Sequence, residues 1–75
     1  MTNEIKAGDL VRVVRLSNTE SDQAYDLKNE ITLGSIWWFK EWSPATAMGY
    51  ITHPSLRYGD YHVVHPYQIE RVEEL

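Results

Sequence analysis

The sequence of 75 residues contains no cysteine, which excludes disulfide bonds and thiolate metal sites. Cationic residues are also few, since seven Lys and Arg stand against eleven Asp and Glu, for a formal net charge of −4. Proteins that bind a phosphate backbone usually carry clustered Lys and Arg, so this balance disfavours nucleic acid as a partner. The longest apolar runs, such as residues 36–39, are far shorter than the about 20 residues that span a bilayer, so we expect no membrane partner.

The N-terminal residues 1–6 lack the basic start and apolar run of a signal peptide. Together with the lack of cysteine, which fits a reducing compartment, this predicts a cytoplasmic protein. The length predicts one domain, 1–75. A domain so small buries only about 60% of the surface that its unfolded chain exposes, so its core is thin. Three Trp, five Tyr and one Phe supply large side chains for that core.

Segments rich in β-branched and aromatic residues, separated by Gly, Pro and polar turn formers, predict five short strands. The predicted strand segments cover residues 10–16, 31–42, 50–53, 61–65 and 69–72. In the first of them, Val11 and Val13 form the core pair, because Arg12 between them belongs in water. A hairpin loop is predicted at residues 55–60, where Gly59 supplies turn chemistry.

The polar segment 17–30 predicts either a short helix over residues 23–28 or a long loop that contains one helical turn. Ser21 or Asp22 would cap the short helix. The acidic residues of this segment are typical of a solvated loop; they are Glu20, Asp22, Asp26 and Glu30.

Four segments follow one another in an informative order: Gly8-Asp9-Leu10-Val11, Leu33-Gly34-Ser35-Ile36-Trp37-Trp38-Phe39, Tyr61-His62-Val63-Val64 and Ile69-Glu70-Arg71-Val72. This order resembles that of the small Src-homology-3-like barrel proteins of bacteriophage and bacterial accessory type. The closing stretch 66–72 also resembles the 3₁₀ turn and last strand that end such barrels. The resemblance covers residues 5–72 and implies an all-β, five-stranded Src-homology-3-like barrel with a long first loop. It implies no activity, because this architecture hosts many unrelated functions.

The central aromatic strand carries large side chains on both faces. Strand alternation places Trp37 and Phe39 on the core face, and it places Ile36, Trp38 and Trp42 on the opposite face. An exposed aromatic patch on a small protein usually marks a partner site or a self-association surface. The alternative is that the first loop folds over this face and buries it.

We expect a partner to contact the second face of that strand together with one tyrosine in a glycine-containing loop. The predicted contact residues are Ile36, Trp38, Trp42 and Tyr58. No catalytic motif occurs, since there is no Gly-x-Ser-x-Gly elbow, no phosphate-cradling glycine loop and no thiol nucleophile. His62 and His65 are an odd number of residues apart and therefore point to opposite faces of a strand. We expect no enzyme activity, no metal and no cofactor.

These observations predict a small non-catalytic binding module, a protein–protein interaction or inhibitor-type accessory protein that engages another protein through its aromatic face. One alternative is a nucleic-acid-binding barrel that uses Lys6, Arg12 and Arg15 with aromatic stacking. Another is a homo-oligomer that buries Trp38 and Trp42 against its own copy.

Overall fold

Five short antiparallel strands and one α-helix make up the computed structural model, which describes residues 4–54, 56 and 60–73. In chain order the elements are β1 (Leu10–Val13), α1 (Glu20–Lys28), β2 (Ile36–Trp42), β3 (Gly49–Thr52), β4 (His62–Val64), a 3₁₀ turn (Pro66–Gln68) and β5 (Ile69–Arg71). The strands form one sheet in the order β4-β3-β2-β1-β5. The prediction of a small, mostly-β domain with five short strands is confirmed.

One face of the sheet carries the hydrophobic core. Val11 and Val13 of β1 are fully buried, and Trp37 and Phe39 of β2 are buried beside them. Both pairs were predicted from strand alternation, and both predictions are confirmed. The core is completed by aliphatic residues from the other elements and the connections: Ile5, Ile31, Ile51, Val64 and Ile69.

β1 is shorter than its predicted segment because backbone groups beyond Val13 bond outside the strand ladder. The N–H groups of Val14 and Arg15 both donate to the carbonyl of Gln68, at 2.7 and 3.4 Å. β3, β4 and β5 differ from their predicted bounds by no more than one residue at either end. Most of the predicted hairpin loop, including Gly59, lies outside the described residues.

The aromatic strand begins later than predicted, at Ile36, because a turn precedes it. Gly34 has a φ of +84°, which glycine adopts without the steric cost that a side chain would add. Its N–H donates to the carbonyl of Val13 at 2.8 Å. The hydroxyl of Ser35 donates to the carbonyl of Thr32 at 2.6 Å. These bonds fix the point at which β2 enters the sheet beside β1.

The polar segment between β1 and β2 forms a helix of nine residues, α1, which includes the predicted short helix over 23–28 and begins three residues earlier. Thr19 is the N-cap, and its hydroxyl accepts a hydrogen bond from the N–H of Asp22 at 3.3 Å. The predicted caps at Ser21 and Asp22 are wrong, because the cap lies earlier and the helix gains residues at its start. The side chain of Asn29 closes the other end by donating to the carbonyl of Tyr25 at 2.8 Å. No helix in the described ranges combines the length and apolar character needed to cross a bilayer.

Candidate interaction surface

Trp38 is the most exposed of the three tryptophans, with 44% of its surface accessible to solvent. It lies on the face of β2 opposite the core. Leu10 of β1 and Thr52 of β3 are its cross-strand partners, so its ring stands on the face of the sheet with these two side chains on either side. The helix that follows β1 does not bury it. Of the predicted partner contacts, Trp38 therefore has the position that the hypothesis requires.

The prediction that Trp42 shares this face is wrong. A bulge between Phe39 and Glu41 shifts the register of β2 against β3, so that Glu41 pairs with Tyr50. One extra residue in a strand reverses the alternation beyond it, and Trp42 turns to the core side. Its ring lies 4.7 Å from that of Phe39, and its Nε1 donates to the carbonyl of Ile5 at 3.1 Å.

Gly49 makes room for the two packed rings. It is the cross-strand partner of Trp42, and a Cβ atom at this position would lie 3.0 Å from the ring of Phe39 and 3.2 Å from that of Trp42. Trp42 thus covers the end of the core, although 38% of its surface is still exposed. Contact of Trp42 with a partner stays a prediction.

The face around Trp38 carries apolar, aromatic and charged side chains. We define the outer face as the apolar, aromatic and threonine side chains around Trp38 on this side of the sheet: Leu10, Ile36, Trp38, Tyr50, Thr52 and Tyr61. Strand pairing places further side chains on the same side: Arg12, Lys40, Glu41, Val63 and Glu70. The rings of Tyr50 and Tyr61 lie 4.5 Å apart. The ammonium of Lys40 lies 5.0 Å from the centre of the Tyr61 ring, a cation–π contact. Ile36, a predicted contact, is half-buried here.

Two of the three basic residues in the nucleic-acid hypothesis lie close to a carboxylate. The ammonium of Lys6 lies 4.0 Å from the carboxylate of Glu4, and the guanidinium of Arg12 lies 3.9 Å from that of Glu70. A neighbouring carboxylate offsets attraction to phosphate. Arg15 is exposed just beyond β1. The remaining predicted partner contact, Tyr58, lies outside the described residues.

Asp26, which the sequence pattern assigned to a solvated loop, is buried, with 1% of its surface exposed. Its Oδ2 accepts hydrogen bonds from the N–H and hydroxyl of Ser17, at 3.1 and 2.8 Å, and from Nε2 of Gln68 at 3.0 Å. Gln68 is also buried; it donates to the carbonyl of Arg15 and accepts from the N–H of His65. A buried carboxylate is tolerated only with such donors, so the network explains its burial. No local sequence signal marks it, because Ser17 and Gln68 lie 9 and 42 residues away.

A pocket of about 240 Å³ lies beside this network, between α1, β4 and the 3₁₀ turn. Its walls include Asp22, Tyr25, Asp26, Met48, Val63 and His65. The hydroxyl of Tyr25 accepts a hydrogen bond from the N–H of Val63 at 3.2 Å. The ring of His65 stacks on that of Tyr67 at 5.1 Å, and its Nε2 lies 3.4 Å from Oδ2 of Asp22. The pocket therefore combines carboxylates with aromatic and aliphatic walls.

Two histidines pack against the core tryptophan. The rings of His53 and His62 lie 5.4 and 5.7 Å from the ring of Trp37, both nearly edge-on. Burial lowers the pKa of His62, while the carboxylate of Asp60 acts in the opposite direction. In the part of the chain that the structure describes, no three His, Asp or Glu side chains come together as a metal site.

Comparison of the chain with models of known protein families, with curated proteins and with solved structures finds no match. The geometry described above provides two candidate sites, which are the outer face around Trp38 and the pocket beside Asp26.

Proposed function

We propose that the protein is a non-catalytic binding module that recognises another protein through its outer face. The observation that carries this proposal is Trp38, which is 44% exposed although it lies between two strands of the sheet. An indole in water is unfavourable by about 25 cal/mol for each Å² of apolar area. Tryptophan and tyrosine are also the residues that most often dominate the binding energy of protein interfaces.

The composition of the outer face supports a protein partner. Trp38 has the aromatic pair Tyr50 and Tyr61 on the same side of the sheet, and charged side chains flank these aromatic residues. Protein interfaces combine an aromatic, apolar centre with a polar rim in this way. The rim pair Arg12 and Glu70 supplies one charge of each sign, which suits recognition of a specific surface.

We also propose that the sheet curls into a Src-homology-3-like barrel of the bacteriophage and bacterial accessory type. Three features support this: the strand order β4-β3-β2-β1-β5, the long connection from β1 to β2, and the 3₁₀ turn directly before β5. The bulge in β2 bends a strand in the manner that closing a small barrel requires. An inhibitor-type accessory role, in which the outer face occupies a site on a target protein, follows from the same proposal.

The two rival uses of this surface have less support. A net charge of −4 opposes close self-association, because like charges on the two copies repel. Two of the three residues that nucleic-acid binding would use, Lys6 and Arg12, have carboxylates within 4.0 Å.

The test compares Trp38→Ala with wild type in affinity capture from bacterial lysate, followed by identification of the captured proteins. Leu33→Ala is the matched control, because Leu33 is also a large exposed apolar residue but is not part of the outer face. We expect wild type and the control to capture the same protein, and Trp38→Ala to lose it while remaining folded. Unchanged capture by Trp38→Ala would refute the proposal. Sedimentation of wild type as a dimer that Trp38→Ala dissociates would favour the homo-oligomer instead.

A further inference from the structure

The pocket beside Asp26 has an acidic character. Asp22 and Asp26 both contribute to its walls, where Nε2 of His65 lies 3.4 Å from Oδ2 of Asp22, and no Lys or Arg occurs among its described lining residues. The chain as a whole carries a net charge of −4. A cleft whose charged groups have one sign and whose walls are partly apolar concentrates the electric field and attracts ions of the opposite sign.

Donors from the described residues reach one of the two oxygens of Asp26. The three hydrogen bonds that it accepts from described residues all reach Oδ2, and they come from Ser17 and Gln68. A carboxylate has about four acceptor positions over its two oxygens. Asp26 is 1% exposed, and it lines the pocket.

The size and walls of the pocket suit one long side chain. Its volume of about 240 Å³ is below the roughly 300–1,000 Å³ of pockets that enclose whole small molecules. Met48 supplies apolar wall, and Tyr25 adds an aromatic ring. Lysine and arginine bury their methylene stems along such surfaces and extend the charged head toward a polar group. The guanidinium of arginine also presents paired N–H donors that match a carboxylate.

We propose that this pocket binds one arginine or lysine side chain of a protein partner. The methylene stem lies against Met48 and Tyr25, and the cationic head lies between the carboxylates of Asp22 and Asp26. This inference rests on the proposed function, which supplies the protein partner. It adds that this partner presents a basic residue to the pocket.

The experiment is a titration of the isotope-labelled protein with N-acetyl-arginine methylamide, followed by nuclear magnetic resonance. We expect saturable shifts at the amides of Ser17 and Asp26 and at the side-chain amide of Gln68. The neutral isostere N-acetyl-citrulline methylamide should bind about tenfold more weakly, a difference of about 1.4 kcal/mol.

Asp22→Asn should weaken binding of the arginine probe about threefold, because one partly exposed charge contributes roughly 0.2–1 kcal/mol. Glu20→Gln is the matched control: it removes the same charge from the same helix, but Glu20 does not line the pocket. Its affinity for the probe should stay close to that of wild type.

Three results would each overturn the proposal: equal binding of the citrulline and arginine probes, equal weakening by Asp22→Asn and Glu20→Gln, or no saturation by about 30 mM, where the binding free energy is only about −2 kcal/mol. No partner protein takes part in this titration. If the arginine probe does not bind but capture still depends on Trp38, only the proposal for the pocket is refuted. If capture does not depend on Trp38, the proposed function is refuted, and the titration still tests the pocket.

Discussion

Nε2 of Gln68 donates a hydrogen bond to Oδ2 of Asp26 at 3.0 Å and thereby ties the 3₁₀ turn to α1. Both side chains are buried, and each makes further bonds to backbone groups. The contact joins two segments that are 42 residues apart in the chain. It holds a helix that contributes no hydrophobic residue to the buried core, since Asp26 is its one buried residue.

Asp26→Ala should lower the free energy of unfolding by about 3 kcal/mol, because it leaves the donors of Ser17 and Gln68 buried without an acceptor. Urea unfolding of the purified variant measures this. Glu20→Ala, an exposed position on the same helix, should stay within about 0.5 kcal/mol of wild type. A loss below about 1 kcal/mol for Asp26→Ala would mean that water replaces the carboxylate without cost.

Two adjacent tryptophans should respond in opposite ways to truncation. Trp37 is 5% exposed and lies in the core, so Trp37→Ala should cost about 3–5 kcal/mol. Trp38 lies on the outer face, and Trp38→Ala should cost about 1 kcal/mol or less. Chemical denaturation of both variants under the same conditions provides the comparison. Similar losses for the two would place both indoles in the core.

Gly49→Ala should destabilise the protein by about 1–3 kcal/mol, because the added Cβ meets the rings of Phe39 and Trp42 at 3.0 and 3.2 Å. In a Trp42→Ala background the same substitution should cost less, since one of the two rings is gone. A double-mutant cycle measured by thermal unfolding yields the coupling energy. A cost that is equal in both backgrounds would show that the rings move aside freely.

Acid should destabilise the protein partly through His62. Burial lowers the pKa of His62 in the folded state, so the unfolded state binds more protons, and stability falls as the pH drops below about 6.5 toward that lowered pKa. His62→Gln should remove this part of the decline. Asp60→Asn should enlarge it, because the Asp60 carboxylate raises the pKa of His62. Unfolding free energies measured from pH 7 to pH 5 test both signs, and a shallower decline in Asp60→Asn than in wild type would contradict the assignment.

Local patterns predicted the parts of the fold that depend on neighbouring residues. Alternation identified the core residues Val11, Val13, Trp37 and Phe39, and turn formers delimited β3, β4 and β5 to within one residue at each end. The placement of Trp38 on the face opposite the core followed from the same rule, whereas its exposure did not, because the first loop could have covered it. These features are readable because strand periodicity is a property of consecutive residues.

The features that the sequence could not reveal arise from contacts across the fold. The bulge after Phe39 reverses the orientation of Trp42, and the residue types at Lys40 and Glu41 do not indicate a bulge. From its local sequence Asp26 is expected at the surface, and its burial becomes clear only from the hydrogen bonds that Ser17 and Gln68 donate to it. Pairing register and burial of a polar group are both decided by partners distant in sequence.

The hydrogen bond between Tyr25 and Val63 also bears on how the protein avoids aggregation. β4 is the last strand on its side of the sheet, and an uncovered edge strand is a template for pairing with other chains. The N–H of Val63 donates to the hydroxyl of Tyr25, and the N–H of His65 donates to Oε1 of Gln68. A foreign strand that adds to this edge must first displace both side chains, so the residues that hold α1 and the 3₁₀ turn in place also protect the sheet from polymerising.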